Sequence, residues 1–230
     1  MEYSGIIERF IDAFYPGASI AVVAGSTARG ERTATSDIDL LIVGGQLFDD
    51  QAQASEASTY AFEGNIFEVF AYTEEGFRDW AQRGINQHRP VILHMLLEGT
   101  SIRDTGGLVQ LRNTWSGIIN RGPTLDDKES AARRYFITDA LDDLRDAADP
   151  LEQRVLASIL FERIAELMLL SAGCWIATGK WLPRRLRALS PERADRLTSP
   201  LLDDDYETFA DRVGEELTLV GGRVQAGFIR

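Results

Sequence analysis

The sequence predicts an α+β protein in which a small mixed β-sheet with flanking helices is followed by a C-terminal α-helical bundle. Two observations support this class. The first half has short β-like runs separated by glycines and turn residues, whereas the second half has long helical periods of apolar residues. The change of character falls at Gly122-Pro123-Thr124, a segment of turn-forming residues. We therefore predict two domains, residues 1–122 and residues 123–230.

The elements of the first half are marked by apolar runs and the turn residues between them. Residues 3–14 have the apolar stripe of an amphipathic helix, which Pro16-Gly17 ends. The apolar runs 18–24 and 38–43 are bounded by glycine and suit buried strands. The other predicted elements are a hairpin of residues 59–62 and 66–72 around Glu63-Gly64-Asn65, and helices at residues 74–83 and 88–98.

Capping residues mark the helices of the second half. Thr124 is the predicted N-cap of a helix over residues 125–148. Asp149 and Pro150 then supply a capping side chain and a proline at the first helical position, which predicts a helix over residues 151–178 ended by Gly179. A last helix is predicted near residues 204–217. Successive helices with short connections favour an antiparallel bundle.

Composition and charge exclude several classes of protein. The 230 residues include 24 basic and 36 acidic side chains, a net charge of −12, which disfavours a general DNA-coating protein because such a protein needs a broad basic surface. Cys174 is the single cysteine, so no intrachain disulfide can form, and two histidines leave little room for a His-rich zinc site. The N-terminus has no signal-peptide pattern, and the apolar runs are too short to span a membrane. We expect a cytoplasmic protein with no membrane association.

One segment has a pattern that suits phosphate and metal chemistry: Gly25-Ser26, then residues 27–36, then Asp37-Ile38-Asp39. A glycine turn lets the backbone approach a ligand, and a helix that begins there offers free N–H groups to a phosphate. Side chains two apart on a strand point to the same face, so both carboxylates would lie together. Such a pair repels unless a cation lies between its members, and oxygen ligands favour Mg²⁺ or Mn²⁺.

This pattern resembles the signature of the DNA polymerase β-like nucleotidyltransferase superfamily, which is Gly-Ser, a variable gap, Asp-x-Asp and a third carboxylate on a neighbouring strand. The motif resemblance covers about residues 18–72. The two-part organisation resembles, more narrowly, the aminoglycoside (kanamycin) nucleotidyltransferase-like enzymes. Those enzymes have an N-terminal catalytic domain and a C-terminal helical bundle, so the resemblance implies a catalytic domain over residues 1–122 and a helical domain that closes on the nucleotide over residues 123–230.

The resemblance assigns the third carboxylate to Glu68, although glutamate departs from the more common aspartate. Glu68 lies in the middle of an apolar strand, where a carboxylate needs a cation or a salt-bridge partner. Glu63 is the competing candidate, but its place in the predicted hairpin turn favours a solvated side chain. The predicted catalytic metal ligands are therefore Asp37, Asp39 and Glu68.

The resemblance also implies residues that bind the nucleotide in the first domain. Gly25 and Ser26 form the phosphate-binding turn. Arg29 could bind a phosphate or could be an ordinary surface residue. Ser36 could orient the strand of Asp37 or could be an ordinary turn serine.

In the second domain, enzymes of this type often hold the triphosphate with a basic residue. Lys180 is the first candidate, followed by Arg184 and Arg185. Lys180 could instead stabilise the C-terminus of the preceding helix through the helix dipole.

The implied function is Mg²⁺-dependent transfer of a nucleoside monophosphate from a nucleoside triphosphate, with ATP as the expected co-substrate, to a hydroxyl of a small molecule. The acidic net charge suits a cationic acceptor such as an aminoglycoside. Alternatives are transfer to a protein or a tRNA, as in toxin–antitoxin relatives, and a non-catalytic nucleotide-binding sensor or interaction protein. The resemblance also allows a homodimer. The sequence does not choose the general base among Glu68 and the bundle carboxylates Asp139, Asp142, Asp143, Glu162 and Glu166.

Overall fold

A computed structural model describes residues 3–33 and 35–225 of the chain. The chain divides between Arg121 and Gly122 into two compact units. Each unit has a hydrophobic core of its own. A mixed sheet with helices is followed by a helical region, which confirms the predicted α+β class.

The first unit contains the sheet. Its described elements are α1 (Ser4–Phe14), β1 (Ala18–Val23), α2 (Gly25–Arg29), β2 (Ile38–Gly44), β3 (Ser55–Phe62), β4 (Asn65–Tyr72), α3 (Glu74–Asn86), α4 (Val91–Glu98), β5 (Thr100–Asp104) and α5 (Leu108–Arg121). The strands lie in the order β3-β4-β2-β1-β5. The pair β2–β4 is parallel, and the other neighbouring pairs are antiparallel.

Helices cover the two faces of this sheet. One set of alternate side chains on β2 and β4 packs against α1, where the rings of Phe10 and Phe67 stack with centroids 4.2 Å apart. The other set, which includes Leu41 and Phe70, packs in the core that α3, α4 and α5 complete. Because strand side chains alternate, Asp39 and Glu68 lie on this second face.

The hairpin of β3 and β4 closes through the predicted turn. Glu63 and Gly64 have φ angles of 45° and 75°, the pair of left-handed residues that a tight two-residue turn requires. The turn sets β4 in register beside β3, and β4 pairs with β2 on its other side.

Two elements of the first unit were not predicted, and one begins later than predicted. The strand β5 has a single apolar residue, Ile102, so the sequence lacks the alternation that marks a strand. The helix α5 falls in a segment for which no pattern was assigned. The helix expected from residue 88 begins at Val91, because Pro90 disfavours a helical conformation for the residue before it.

Every regular element described in the second unit is a helix. These are α6 (Asp127–Asp146), α7 (Pro150–Ser171), α8 (Trp181–Leu189), α9 (Pro191–Leu202) and α10 (Tyr206–Leu219). Its core is formed by apolar side chains of all five helices, with Ile164, Leu167, Phe209 and Val213 fully buried.

Two expectations for the second unit are corrected. The N-cap of α6 is Asp126 rather than Thr124, since the Asp126 carboxylate accepts the N–H of Glu129 at 2.7 Å. Helix α7 ends at Ser171 rather than at residue 178, and Gly173 follows it with a φ of 69°. The apolar residues beyond it are buried without being helical. The helices α8 and α9 were not predicted.

No helix within residues 3–33 and 35–225 is long and apolar enough to cross a membrane.

Candidate active site

Asp39 and Glu68 lie side by side on two neighbouring parallel strands. In the pairing of β2 with β4, Asp39 is the register partner of Glu68. Both residues are half-buried, and their carboxyl groups hydrogen-bond to each other. The strand spacing of about 4.8 Å makes this contact possible, because both side chains leave the same face of the sheet.

The environment of Glu68 disfavours its ionised form. Burial raises the pKa of the Glu68 carboxyl above its ordinary value, and the charge of Asp39, the hydrogen bond to Asp39 and the charge of Asp37 raise it further. A cation among the three carboxylates would remove this repulsion. Their all-oxygen donor set fits Mg²⁺ or Mn²⁺. Within the described residues, no three acidic, histidine or cysteine side chains converge closely enough to make a complete metal site.

The sequence predicts Asp37 on the same strand as Asp39, but Asp37 lies immediately before β2. The pairing with β4 begins at Ile38, and the Asp37 side chain is exposed. Its backbone carbonyl accepts a hydrogen bond from the hydroxyl of Thr27 at 3.4 Å. Of the three predicted ligands, Asp39 and Glu68 are therefore in contact, while Asp37 acts on Glu68 through its charge.

Gly25 lies directly against Asp39. Its φ of 61° is a left-handed conformation, and a Cβ atom built on it would stand 1.7 Å from Asp39 Oδ2. The N–H of Ala24 donates to the Asp39 carbonyl at 2.9 Å, which joins the turn to β2. The absence of a side chain at residue 25 is therefore what leaves room for the Asp39 carboxylate.

The other predicted phosphate-binding residues of this unit surround the short helix α2. Ser26 is half-buried in its first turn. Arg29 is exposed, and its Nε donates to Glu31 Oε2 at 2.9 Å. The Ser36 hydroxyl accepts the N–H of Thr33 at 2.9 Å. Arg29 is thus already engaged by a carboxylate, and Ser36 closes the turn that leads to Asp37.

A comparison of the sequence with known protein families indicates which family this site resembles. Residues 5–89 match the family described as "Nucleotidyltransferase domain". This part of the chain is similar to a nucleotidyltransferase domain. The match includes the Gly25 turn, Asp37, Asp39 and Glu68, and it confirms the predicted relationship to the DNA polymerase β-like superfamily and the prediction of an enzyme of this type.

Two further comparisons concern the whole chain. A solved structure of a nucleotidyltransferase-like protein from Exiguobacterium sibiricum 255-15 is similar at 14% identity, with 94% of this chain and 73% of that chain covered and a TM-score of 0.49. No curated protein matches the chain.

Outside the matched segment, the predicted triphosphate-binding residues lie at the start of α8. Lys180 is exposed and is the N-cap residue of this helix, so the alternative role at a helix C-terminus is wrong. The Arg184 guanidinium lies 4.9 Å from the centre of the Trp181 ring.

Three of the other acidic candidates are already paired. Glu63 lies in the hairpin turn, where its carboxylate accepts a hydrogen bond from Arg9 Nε at 2.9 Å. In the helical unit, Glu166 pairs with Arg133 at 3.0 Å, and Asp142 accepts from Gln225 at 3.0 Å.

Sequence reasoning missed two residues of the matched segment. Thr27 is buried and bonds to the backbone of Asp37. Arg32 donates to the carbonyl of Ser36. Both act on backbone atoms, and no residue pattern reveals such a contact before the loop between α2 and β2 is folded.

Proposed function

We propose that this protein is a divalent-metal-dependent nucleotidyltransferase that moves a nucleoside monophosphate from a nucleoside triphosphate to a hydroxyl of a small molecule and releases pyrophosphate. The observation that carries the proposal is the shared register of Asp39 and Glu68 beside a side-chain-free Gly25. This arrangement lies inside the segment that matches the nucleotidyltransferase domain.

The proposed metal ligands are Asp37, Asp39 and Glu68. When bound, Mg²⁺ or Mn²⁺ neutralises phosphate charge and stabilises the attacking and leaving oxygens. The protein's own contribution is to hold Asp39 and Glu68 on two interior strands of the sheet, with Asp37 immediately before β2. Burial raises the pKa of Glu68, and the nearby charges of Asp39 and Asp37 raise it further, which supports this assignment because perturbed carboxyl groups are typical of functional sites.

The phosphates would bind at the Gly25–Ser26 turn. Backbone N–H groups at this turn and the Ser26 hydroxyl are suitable donors to phosphate oxygens. Arg29 would have to exchange its bond with Glu31 for one with a phosphate. We propose Lys180 and Arg184 as further triphosphate ligands, on the basis of their exposure and charge.

The strand order suggests the side from which the acceptor enters. The Gly25 turn follows β1, and Glu68 lies on β4, so Asp39 on β2 is between them. In-line displacement requires the attacking oxygen and the leaving pyrophosphate to lie on opposite sides of the α-phosphorus. An acceptor that binds on the β4 side of Asp39, opposite the phosphates at the Gly25 turn, satisfies this requirement. Its oxygen forms a bond to the α-phosphorus, the bond from that phosphorus to pyrophosphate breaks, and the hydroxyl proton passes to a carboxylate, for which Glu68 is the proposed base.

The acceptor is proposed to be a small cation-bearing molecule such as an aminoglycoside, with ATP as the nucleotide. The net charge of −12 supports a cationic acceptor through long-range attraction and disfavours tRNA.

The test is incubation with Mg²⁺ and each α-³²P-labelled nucleoside triphosphate in the presence of an aminoglycoside panel, tRNA or the protein alone. We expect a labelled aminoglycoside that disappears in Asp37→Asn and Asp39→Asn and persists in the control Asp79→Asn, an exposed aspartate of α3. Label on tRNA or on the protein would replace the small-molecule acceptor. Metal-dependent nucleotide binding without any transfer would favour the sensor, and no binding at all would overturn the proposal.

A further inference from the structure

Asp37 and Asp39 are held in different ways. Asp39 belongs to β2, and its backbone is fixed by pairing with β4 and by the N–H of Ala24. Asp37 precedes the strand, so sheet pairing does not set the direction of its side chain. That direction depends on the two peptide planes that flank its α-carbon.

Both of these planes are held by side chains from the segment that follows β1. The carbonyl of Ser36, which precedes Asp37, accepts hydrogen bonds from Arg32 Nη2 at 2.9 Å and from Arg32 Nε at 3.2 Å. The carbonyl of Asp37 itself accepts the hydroxyl of Thr27 at 3.4 Å. Two donors on one carbonyl fix its orientation more firmly than a single donor does.

The two tethering side chains are themselves anchored. Thr27 is buried, with 6% of its surface exposed, within α2. The guanidinium of Arg32 lies over the ring of Tyr3, with its central carbon 4.6 Å from the ring centre. A stacked, bidentate guanidinium is a geometry that lysine cannot reproduce.

We propose that Arg32 and Thr27 are positioning residues that aim the Asp37 carboxylate at the metal shared with Asp39 and Glu68. This inference rests on the proposed function. Both side chains bond to the backbone on either side of the Asp37 α-carbon, so their removal should weaken metal binding while the fold remains. Residues that orient a metal ligand typically change metal affinity by about 10- to 100-fold when they are replaced.

The test measures Mn²⁺ binding in the full-length protein with α,β-methylene-ATP, an analogue that cannot release pyrophosphate. Free Mn²⁺ is followed by electron paramagnetic resonance, and folding is followed by thermal melting. We expect Arg32→Ala to raise the Mn²⁺ Kd by about tenfold, Thr27→Val to raise it less, and Arg32→Lys to fall between Arg32→Ala and the parent. Thr27→Ser keeps the hydroxyl and should bind like the parent.

Two reference variants make the result decisive. Asp37→Asn should lose Mn²⁺ binding, whereas Arg78→Ala, which removes an exposed arginine of α3 from the same unit, should not change it. Unchanged Mn²⁺ affinity in the folded Arg32 and Thr27 variants, beside a loss in Asp37→Asn, would overturn the positioning role and leave the proposed function intact. No Mn²⁺ or nucleotide binding in the parent would overturn the proposed function and this inference with it. If Arg32→Ala does not melt cooperatively, the Mn²⁺ affinities of Arg32→Lys and Thr27→Val decide the matter by the same criterion.

Discussion

At the scale of single residues, Gly25 and Asp39 show why the motif begins with glycine. The left-handed φ of Gly25 costs other residues about 1 kcal/mol. Lack of space is the larger restriction, because the Asp39 carboxylate occupies the position that a Cβ atom of residue 25 would take.

Gly25→Ala is therefore expected to displace Asp39 and to lower kcat/KM for nucleotidyl transfer by about 100-fold, the usual effect of a misplacement of about 1 Å. Steady-state kinetics with an acceptor identified by the labelling experiment would measure it. Gly30→Ala is the matched control, because Gly30 also has a left-handed φ, of 71°, but no atom lies within 4 Å of its would-be Cβ. Equal activity loss in both variants would show that backbone strain, and not the contact with Asp39, is responsible.

The choice between the two glutamates of the hairpin is a second residue-scale prediction. Glu68→Gln removes the carboxylate in register with Asp39 and is expected to lower kcat by at least about 100-fold. Glu63→Gln removes only an exposed partner of Arg9 and should leave kcat unchanged. The reverse order of effects would assign the third carboxylate to Glu63.

At the scale of elements, a polar network joins α1 to the edge strand β3. The hydroxyl of Tyr15, which follows α1, donates to Glu56 Oε1 at 2.7 Å. Ser58 and Tyr60 donate to the same oxygen at 2.8 and 3.2 Å. These bonds lower the pKa of the Glu56 carboxyl, because they stabilise its ionised form.

Tyr15→Phe should lower the free energy of unfolding by about 2 kcal/mol, since it removes a hydrogen bond to a charged group. Urea denaturation would measure it. Tyr60→Phe removes a longer bond to the same oxygen and should have a smaller effect. An equal effect of both variants would show that the network acts through packing and not through the Tyr15–Glu56 bond.

The same network predicts a dependence of stability on pH. A carboxyl whose folded-state pKa is depressed stabilises the fold above its unfolded pKa, about 4.3 for glutamate, and loses this contribution as pH falls through the folded value. The difference in stability between the parent and Tyr15→Phe should therefore be full at pH 7 and shrink below about pH 4. A difference that is constant between pH 7 and pH 3 would contradict the role of the Glu56 charge.

At the scale of the whole molecule, the division between Arg121 and Gly122 lies next to the boundary that the sequence predicts after residue 122. We propose that the two units are separate domains. Arg121 is exposed at the end of α5, and residues 122–126 are non-helical before α6 begins.

Brief trypsin digestion of the native protein should therefore cut first after Arg121 and give two fragments of similar size, which mass spectrometry would identify. In Arg121→Gln the first cut should move to Lys128, which is also exposed. A first cut inside α7 or within the sheet would contradict the two-domain division.

The mixed sheet and the helical half could be predicted because their signals are local. Apolar runs bounded by glycine located β1 and β2, and Asp149 with Pro150 located the start of α7. Elements with few apolar residues, such as β5, could not be found in this way. The end of α7 was misplaced because the apolar residues that follow it are buried in the core without being helical.

The sequence by itself determined the α+β class and the nucleotidyltransferase motif, because each depends on neighbouring residues or on the spacing of a few positions. The tertiary structure alone decided that Asp39 pairs in register with Glu68, that Gly25 lies against the Asp39 carboxylate, and that Arg32 holds the backbone before Asp37. These facts join segments that meet only when a parallel strand pair and its loops are folded. Register is a non-local property, set by the pairing of strands and the closure of the turns between them.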